Sequence, residues 1–525
     1  MLFSTMVSFI GMLVATISIL ILDLLRRYFQ WKFSPLRKLP GPTSNFFTGV
    51  FSQLEKEPFM QPMQRWWDAA GVDTPLLYYT GIMGRSFIAV LDADAVKLIL
   101  TSSASAEHPR FIKGFFYLKN VIGNGLVTLE GSDWHRHRRI IQPSFNTYHL
   151  KESLNSCVPG MVQRMIKCWK ERPNADIDVS GHFSALTLDI IGKVAFSHDF
   201  HSLSAIEAWS KEDTNEIELG DDLIKSLYES LSPSTTRMLL INFGLSWLIR
   251  FVLPALHETQ VLLDKAVDSV VQKAHEKYRT GGIQRDGQNP PSDVKCLLEL
   301  LFDAKDLESS SNRTLTHKEL QAEMKTFIVA GHETTATLCN WAIYCLIRYP
   351  HIQDRVVDDI KKNAPHAGTI TLDLLDKMDY FDAFLNEVLR LYPPVGLITR
   401  TNTIGINLLG EFIPKNTRIF IPIFLLHRHP KYWTDPLEFK PERWLKSKRE
   451  DEKFHHFAYL PFSAGGRNCI GQKFAIYEAK LILAPVIREF EIKASPLMDD
   501  ADIKLKSFIT TKSDPPIVMR VVSRC

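Results

Sequence analysis

One stretch of this 525-residue chain constrains its fold more than any other, the run from Thr316 to Arg348. Thr316-His317-Lys318-Glu319 has the form of a capping box, in which a threonine side chain accepts from a backbone amide three residues on and a glutamate reaches back. The apolar-rich run then meets no breaker until Tyr349-Pro350, where proline lacks the amide a helix needs. At 1.5 Å per residue such a helix is about 50 Å long, enough to traverse a large globular body. Leu320, Met324, Phe327, Ile328, Leu338, Trp341, Ala342 and Leu346 are its predicted buried positions. Lys318, Glu319, Glu323, Lys325, His332 and Glu333 argue against a membrane span there.

The surrounding chain predicts a mainly α fold with small β-sheets. Leu76 to Val90 alternates in part and contains Tyr78, Tyr79, Ile82 and Phe87, which suits a small sheet. Gly281 to Asp293 carries Gly281-Gly282, Gly287 and Asn289-Pro290-Pro291 and reads as a surface loop. No repeat of solenoid period is evident, and no second change of composition divides the chain. Hydrophobic residues make up 45%, ample for one large buried core.

The first 22 residues, Met1 to Leu22, carry no charged side chain. That roughly matches the ~20 apolar residues needed to cross a bilayer core. A cleaved signal peptide would have a basic start, a shorter apolar run and a small-residue cleavage site. Arg26, Arg27, Lys32, Arg37 and Lys38 follow, so the positive-inside bias predicts a cytoplasmic body. The organisation expected is a transmembrane signal anchor over 1–25, a basic, proline-rich linker over 26–55 and a catalytic domain over 56–525. Ser34-Pro35 and Pro40-Gly41-Pro42 favour a stiff extended connector within that linker.

Lys plus Arg number 62 against 59 Asp plus Glu, which excludes the broad basic field of a nucleic-acid binder. Seven cysteines occur without a C-x-x-C pair, so neither a disulfide framework nor a structural zinc site is indicated. Cys339 and Cys345 fall within the long helix and read as buried small hydrophobes.

The chemistry concentrates in Phe462-Ser463-Ala464-Gly465-Gly466-Arg467-Asn468-Cys469-Ile470-Gly471, followed by helix-forming Gln472 to Leu483. Glycines allow a tight turn, and a cysteine just before a helix faces amide donors and the positive end of the dipole. Such a place favours a thiolate. Arg467 could pair with a carboxylate. In mid-helix, Ala330-Gly331-His332-Glu333-Thr334-Thr335 places a glycine costing about 1 kcal/mol beside an acid and a hydroxyl that gain nothing from simple burial. Glu387-Val388-Leu389-Arg390 forms an i, i+3 pair, and Pro441-Glu442-Arg443-Trp444 follows it.

Together these segments resemble the cytochrome P-450 superfamily. Phe462, Gly465, Arg467, Cys469 and Gly471 match each fixed place of its haem-binding signature. The resemblance implies a microsomal, membrane-anchored haem-thiolate monooxygenase with a triangular, mainly helical body and haem b whose iron takes the Cys469 thiolate as axial ligand. Such a ligand assists cleavage of the O–O bond. By the same resemblance Glu333 and Thr334 are the catalytic proton-relay pair, and Ala330 and Gly331 line the oxygen pocket. Glu387, Arg390 and Arg443 form a structural charge triad. Trp134 and Arg138, within Trp134-His135-Arg136-His137-Arg138, and Arg400 are implied propionate contacts. Some fatty-acid hydroxylases of the family hold haem through a glutamate ester before the helix glycine; Ala330 stands at that place and excludes the link. His135, His137, His427, His429, His455 and His456 lie in polar or basic runs and are expected at the surface or near propionates. The substrate cavity is expected to draw on Phe111 to Val121, Phe327, Ala330, Thr334, Thr335, Val395 to Ile398 and Phe508 to Thr510.

No G-x-G-x-x-G dinucleotide site is evident, so electrons must come from another protein. The resemblance implies an NADPH-dependent flavoprotein reductase, with cytochrome b5 as a second donor, and an endoplasmic reticulum membrane location. Dioxygen and a lipophilic small molecule are the substrates. Fatty acids, sterols, terpenoids and xenobiotics all remain compatible. An intact Glu333 and Thr334 disfavour a hydroperoxide isomerase.

Overall fold

The computed structural model describes residues 15, 18–19, 21–102, 110–113, 116–211, 222–231, 235–242, 245–279, 295–304, 314–365, 368–445, 454–499, 503–507 and 509–524. Seven helices frame the site: α1 Gly131–Ile141, α2 Thr147–Glu171, α3 Val179–Phe196, α4 Pro254–Arg279, α5 His317–Arg348, α6 Asp379–Leu391 and α7 Gln472–Glu489. The central helix α5 begins at the predicted capping box. Thr316 Oγ1 accepts from the Glu319 amide at 3.3 Å while the Glu319 carboxylate accepts from the Thr316 amide at 2.8 Å. It ends before Tyr349-Pro350, and all eight predicted core positions are buried, as are Cys339 and Cys345.

Helix α5 packs against α3, α4, α6 and α7 and beyond its first turn is buried on nearly every face, so Glu323, Lys325, His332 and Glu333 are enclosed as well. Gly331 has a packing reason: a Cβ there would lie 3.0 Å from Ile191 Cδ1 of α3. Its missing side chain lets two helices approach closely, which is a use of glycine distinct from opening space for oxygen.

A five-stranded sheet of order β1-β2-β5-β4-β3 flanks the helices. It comprises β1 Leu76–Thr80, β2 Ser86–Val90, β3 Phe111–Ile112, β4 Ile398–Asn402 and β5 Arg418–Ile421. The first two strands pair as a hairpin within the small sheet expected at Leu76 to Val90, with Tyr78 opposite Ile88. Strand β2 pairs in parallel with β5, Ile88 opposite Ile419. A second hairpin joins β6 Lys504–Ser507 to β7 Thr511–Asp514.

The anchor expected over 1–25 falls largely outside the described residues. Among the described residues no helix is long and apolar enough to cross a membrane. Residues 21–32 are helical, and within them Asp23 bonds Arg26 at 2.6 Å and Arg27 at 2.5 Å. The proline connector is only partly extended: Pro35–Lys38 forms a 3-10 turn with Ser34 Oγ accepting from the Leu36 amide. Proline at the first helical position suits a turn because its absent amide is not needed there. The loop expected at Gly281 to Asp293 lies outside the described residues.

Candidate haem site

The cysteine loop is closed by its own backbone. Cys469 N–H donates to Phe462 O at 3.0 Å and Asn468 N–H to Gly465 O at 3.1 Å. Gly465 has φ +73°, and a Cβ there would stand 2.4 Å from Leu100 O, so only glycine fits. Gly471 precedes the first residue of α7, and its amide donates to the Cys469 sulfur. Cys469 presents surface, yet that surface is cavity wall enclosed by protein. Burial therefore pushes its thiol up, while the Gly471 amide, Arg138 and Lys113 pull it down. Burial wins in the protein alone, and a ligated metal cation would hold the sulfur as thiolate.

Four cationic groups gather beside this loop. Arg467 lies over Trp134, 4.3 Å from the ring centroid, and donates to Leu129 O at 2.7 Å and to the Glu130 carboxylate. Arg138 donates to Asn468 O at 3.1 Å and Asn468 Oδ1 at 2.9 Å, tying α1 to the cysteine loop. Arg400 is buried on β4 and donates to Thr399 O at 2.8 Å. Burial, together with Arg467 and Arg400, pushes Lys113 down to about 7 against the opposing pull of Glu130 and Cys469. Glu130 is the acid facing this group. Buried cations in excess over anions suit a cofactor edge carrying two carboxylates. The residues present thus fit haem: Cys469 would take its iron, and Trp134, Arg138 and Arg467 on the cavity wall, with Arg400 set behind them, would suit its propionates.

The cavity encloses about 300 Å³. Cys469, Phe462, Arg467 and Gly471 line one side with Trp134 and Arg138; Phe327, Ala330, Gly331, Thr334 and Thr335 line it from α5. Lys113, Val395 and Ile398 also reach it, as expected. Three predicted site residues stand off its wall: Gly465, which packs on Leu100, Arg400, which is set back in β4, and Glu333. Thr334 Oγ1 donates to Ala330 O at 2.6 Å. The Glu333 carboxylate instead turns to the β6–β7 hairpin, accepting from Lys512 Nζ at 2.7 Å and Thr510 Oγ1 at 3.1 Å. Thr510 is thereby committed to Glu333 and does not line the cavity, and Phe508 lies outside the described residues.

Residues 39–519 match the family model described as Cytochrome P450. The chain belongs to the cytochrome P450 family. It is similar to human Cytochrome P450 4Z1, 31% identical over 494 residues, covering 92% of each chain. Human Cytochrome P450 4A11 is 30% identical over 478 residues, 89% of this chain and 85% of the relative. Mouse Cytochrome P450 3A13 is 28% identical over 444 residues, 83% of this chain and 82% of the relative. The fold resembles the crystal structure of the cytochrome P450DA heme domain, with a TM-score of 0.74 at 24% identity, covering 93% of this chain and 97% of that one. The protein is accordingly a haem-thiolate monooxygenase, an oxidoreductase whose haem iron takes a cysteine thiolate.

In this P450 the expected charge triad forms. Glu387 accepts from Arg390 Nη2 at 2.7 Å and Nε at 2.9 Å, from Arg443 Nε at 3.1 Å and from Trp444 Nε1 at 2.9 Å. Arg390 also donates to His427 O, Pro436 O and Glu438 O, so this buried charge is fully hydrogen-bonded.

The histidine expectation needs correcting, since His137, His427 and His429 are buried. His427 Nε2 accepts from the Leu460 amide at 2.7 Å, which leaves Nδ1 to donate to Arg390 O at 3.0 Å. This neutral imidazole joins α6 to the start of the cysteine loop. Burial pushes it down to about 3. His137 bonds the buried Glu323 at 2.7 Å, and Glu323 also accepts from the Leu126 amide at 3.1 Å. That contact ties α1, and so Trp134 and Arg138, to α5. Sequence reasoning missed both links because each joins residues far apart in the chain, and a histidine in a basic run carries no local sign of burial.

Proposed function

We propose that this P450 inserts one atom of dioxygen into a lipophilic organic substrate by hydroxylation or epoxidation, with electrons drawn from a separate NADPH-dependent flavoprotein reductase. The observation that carries the reading is Cys469 and Thr334 lining one mostly apolar cavity. Bound haem supplies the oxygen-activating chemistry. The protein's part is to exclude water with apolar walls, hold the cofactor edge with Trp134, Arg138, Arg400 and Arg467, and deliver protons. Thr334 offers its hydroxyl at the cavity wall, while Glu333 stands behind it with a link to the surface. Proton delivery by placed groups contributes about 10²–10⁴-fold in rate. Cytochrome b5 is a second donor in this reading.

The uncharged 1–22 run and its basic flank support a single anchor in the endoplasmic reticulum membrane with the body on the cytoplasmic side. Exposed Trp247, Phe251 and Val252 supply an apolar patch suited to the same interface. The test is reconstitution with purified reductase and a panel of lipids scored by haem spin-state shift. The reading predicts substrate-dependent NADPH use with oxygenated product, and a Thr334→Ala variant that binds the same lipid but yields less product per NADPH. NADPH use that no lipid alters, or an unchanged yield in Thr334→Ala, contradicts it.

A further inference from the structure

We infer that Lys512 is a positioning residue for proton delivery, linking the buried Glu333 carboxylate to the solvent-exposed side of the β6–β7 hairpin. The inference rests on the relay reading of Glu333 and Thr334 and adds where that relay meets solvent.

Glu333 is buried, with 5% of its surface exposed, and one oxygen accepts from both Lys512 and Thr510. Its other oxygen, Oε2, is buried with no hydrogen-bond partner among the described residues. A buried carboxylate oxygen left bare is costly, and such a cost points to a group or water met during function. The Lys512 side chain is 44% exposed. The ion pair thus spans from solvent to an enclosed acid one residue before Thr334, whose own hydroxyl proton is engaged by Ala330 O. A proton reaching the cavity by way of Glu333 therefore starts at the hairpin.

The lysine is held in place by its strand. Thr511, the residue before it, donates its amide to Pro394 O at 2.8 Å, and its carbonyl accepts from Trp341 Nε1 at 2.7 Å. Pro394 lines the cavity and Trp341 lies on α5 two turns past Glu333. The strand that carries Lys512 is bonded both to the relay helix and to a cavity-lining segment, which fixes the ammonium against Glu333. An exposed lysine pair serving only the surface would contribute little to stability and would have no bearing on electron use.

The experiment uses the full-length holoenzyme with purified reductase and whichever of dodecanoic acid, cholesterol and geraniol gives the largest spin-state shift. Product per NADPH and the solvent isotope effect are measured for Lys512→Met, Lys512→Arg, Glu333→Gln and Thr334→Ala. Lys506→Met serves as a control, because Lys506 pairs with Asp514 on the same hairpin at 3.6 Å. Lys512→Met is expected to lose about tenfold in coupled turnover, less than the full ~10²–10⁴-fold of a placed acid–base group because Glu333 remains. Its solvent isotope effect should rise while substrate affinity and the thiolate spectrum hold, Lys512→Arg should restore coupling, and Lys506→Met should match the parent. Coupled turnover in Lys512→Met alongside uncoupled Glu333→Gln and Thr334→Ala overturns the inference and leaves the relay standing. Coupled turnover in Glu333→Gln overturns the relay itself. A Lys512→Met defect reproduced by Lys506→Met, or accompanied by weakened substrate binding, assigns Lys512 to hairpin structure and overturns the inference.

Discussion

Trp134 lies under Arg467, its ring centroid 4.3 Å from the guanidinium carbon, so the first residue of one haem-edge motif fixes the arginine of another. One comes from α1 and the other from the cysteine loop. The arginine is buried, and the ring gives its flat face a partner that does not compete for its hydrogen bonds.

Trp134→Ala should therefore cost about 3–5 kcal/mol through the cavity it leaves. It should also speed the loss of haem to a haem-scavenging apoprotein, because Arg467 loses its platform. Trp134→Phe keeps a ring face and should retain most of both properties. Denaturant unfolding and haem-transfer rates read the two effects separately.

Replacing Glu387 with Gln strands Arg390 and Arg443, both buried, without their shared carboxylate. Removing one partner of a buried ion pair costs about 3–5 kcal/mol. The expected outcome is a fall in denaturation midpoint with loss of bound haem on expression. Equal stability of Glu387→Gln and the parent would show that the triad does not hold this region.

The neutral His427 bridge makes a pH prediction. Its folded value is depressed from 6.5 to about 3, so the unfolded chain binds the proton more readily between those values. Stability conferred by the neutral ring is complete above pH 6.5 and is lost as pH falls toward about 3. At pH 5 the loss is about 2 kcal/mol at 1.36 kcal/mol per pH unit. His427→Gln does not titrate, so its stability should fall less between pH 7 and pH 5 than that of the parent in matched urea unfolding curves.

Local signals in the chain were reliable where the physics is local. The capping box at Thr316 and Glu319 and the proline at 350 set both ends of α5, and the period of its apolar residues set its buried face. The Cys469 loop could be read because its turn and helix start are encoded within ten residues. Long-range pairings were not readable. Nothing near Ile88 announces Ile419 as its partner, and nothing near His137 announces Glu323. Gly331 was visible as an anomaly, but its close neighbour Ile191 comes from another helix. Glu333 was named from its motif, whereas its aim toward Lys512 depends on where a hairpin from the far end of the chain folds back.

Cys469→Ser and Cys469→His, measured by the reduced carbon monoxide spectrum alongside turnover, test the central claim most directly. Serine is a poorer ligand than a soft anionic sulfur, and imidazole is neutral with much weaker electron donation. Both variants should lose the red-shifted Soret band that marks thiolate ligation, together with monooxygenase activity. Single changes at Cys157, Cys168, Cys296, Cys339, Cys345 or Cys525 should leave that band in place. A Cys469→Ser protein that keeps both the band and turnover, while another cysteine variant loses them, would contradict the placement of the haem.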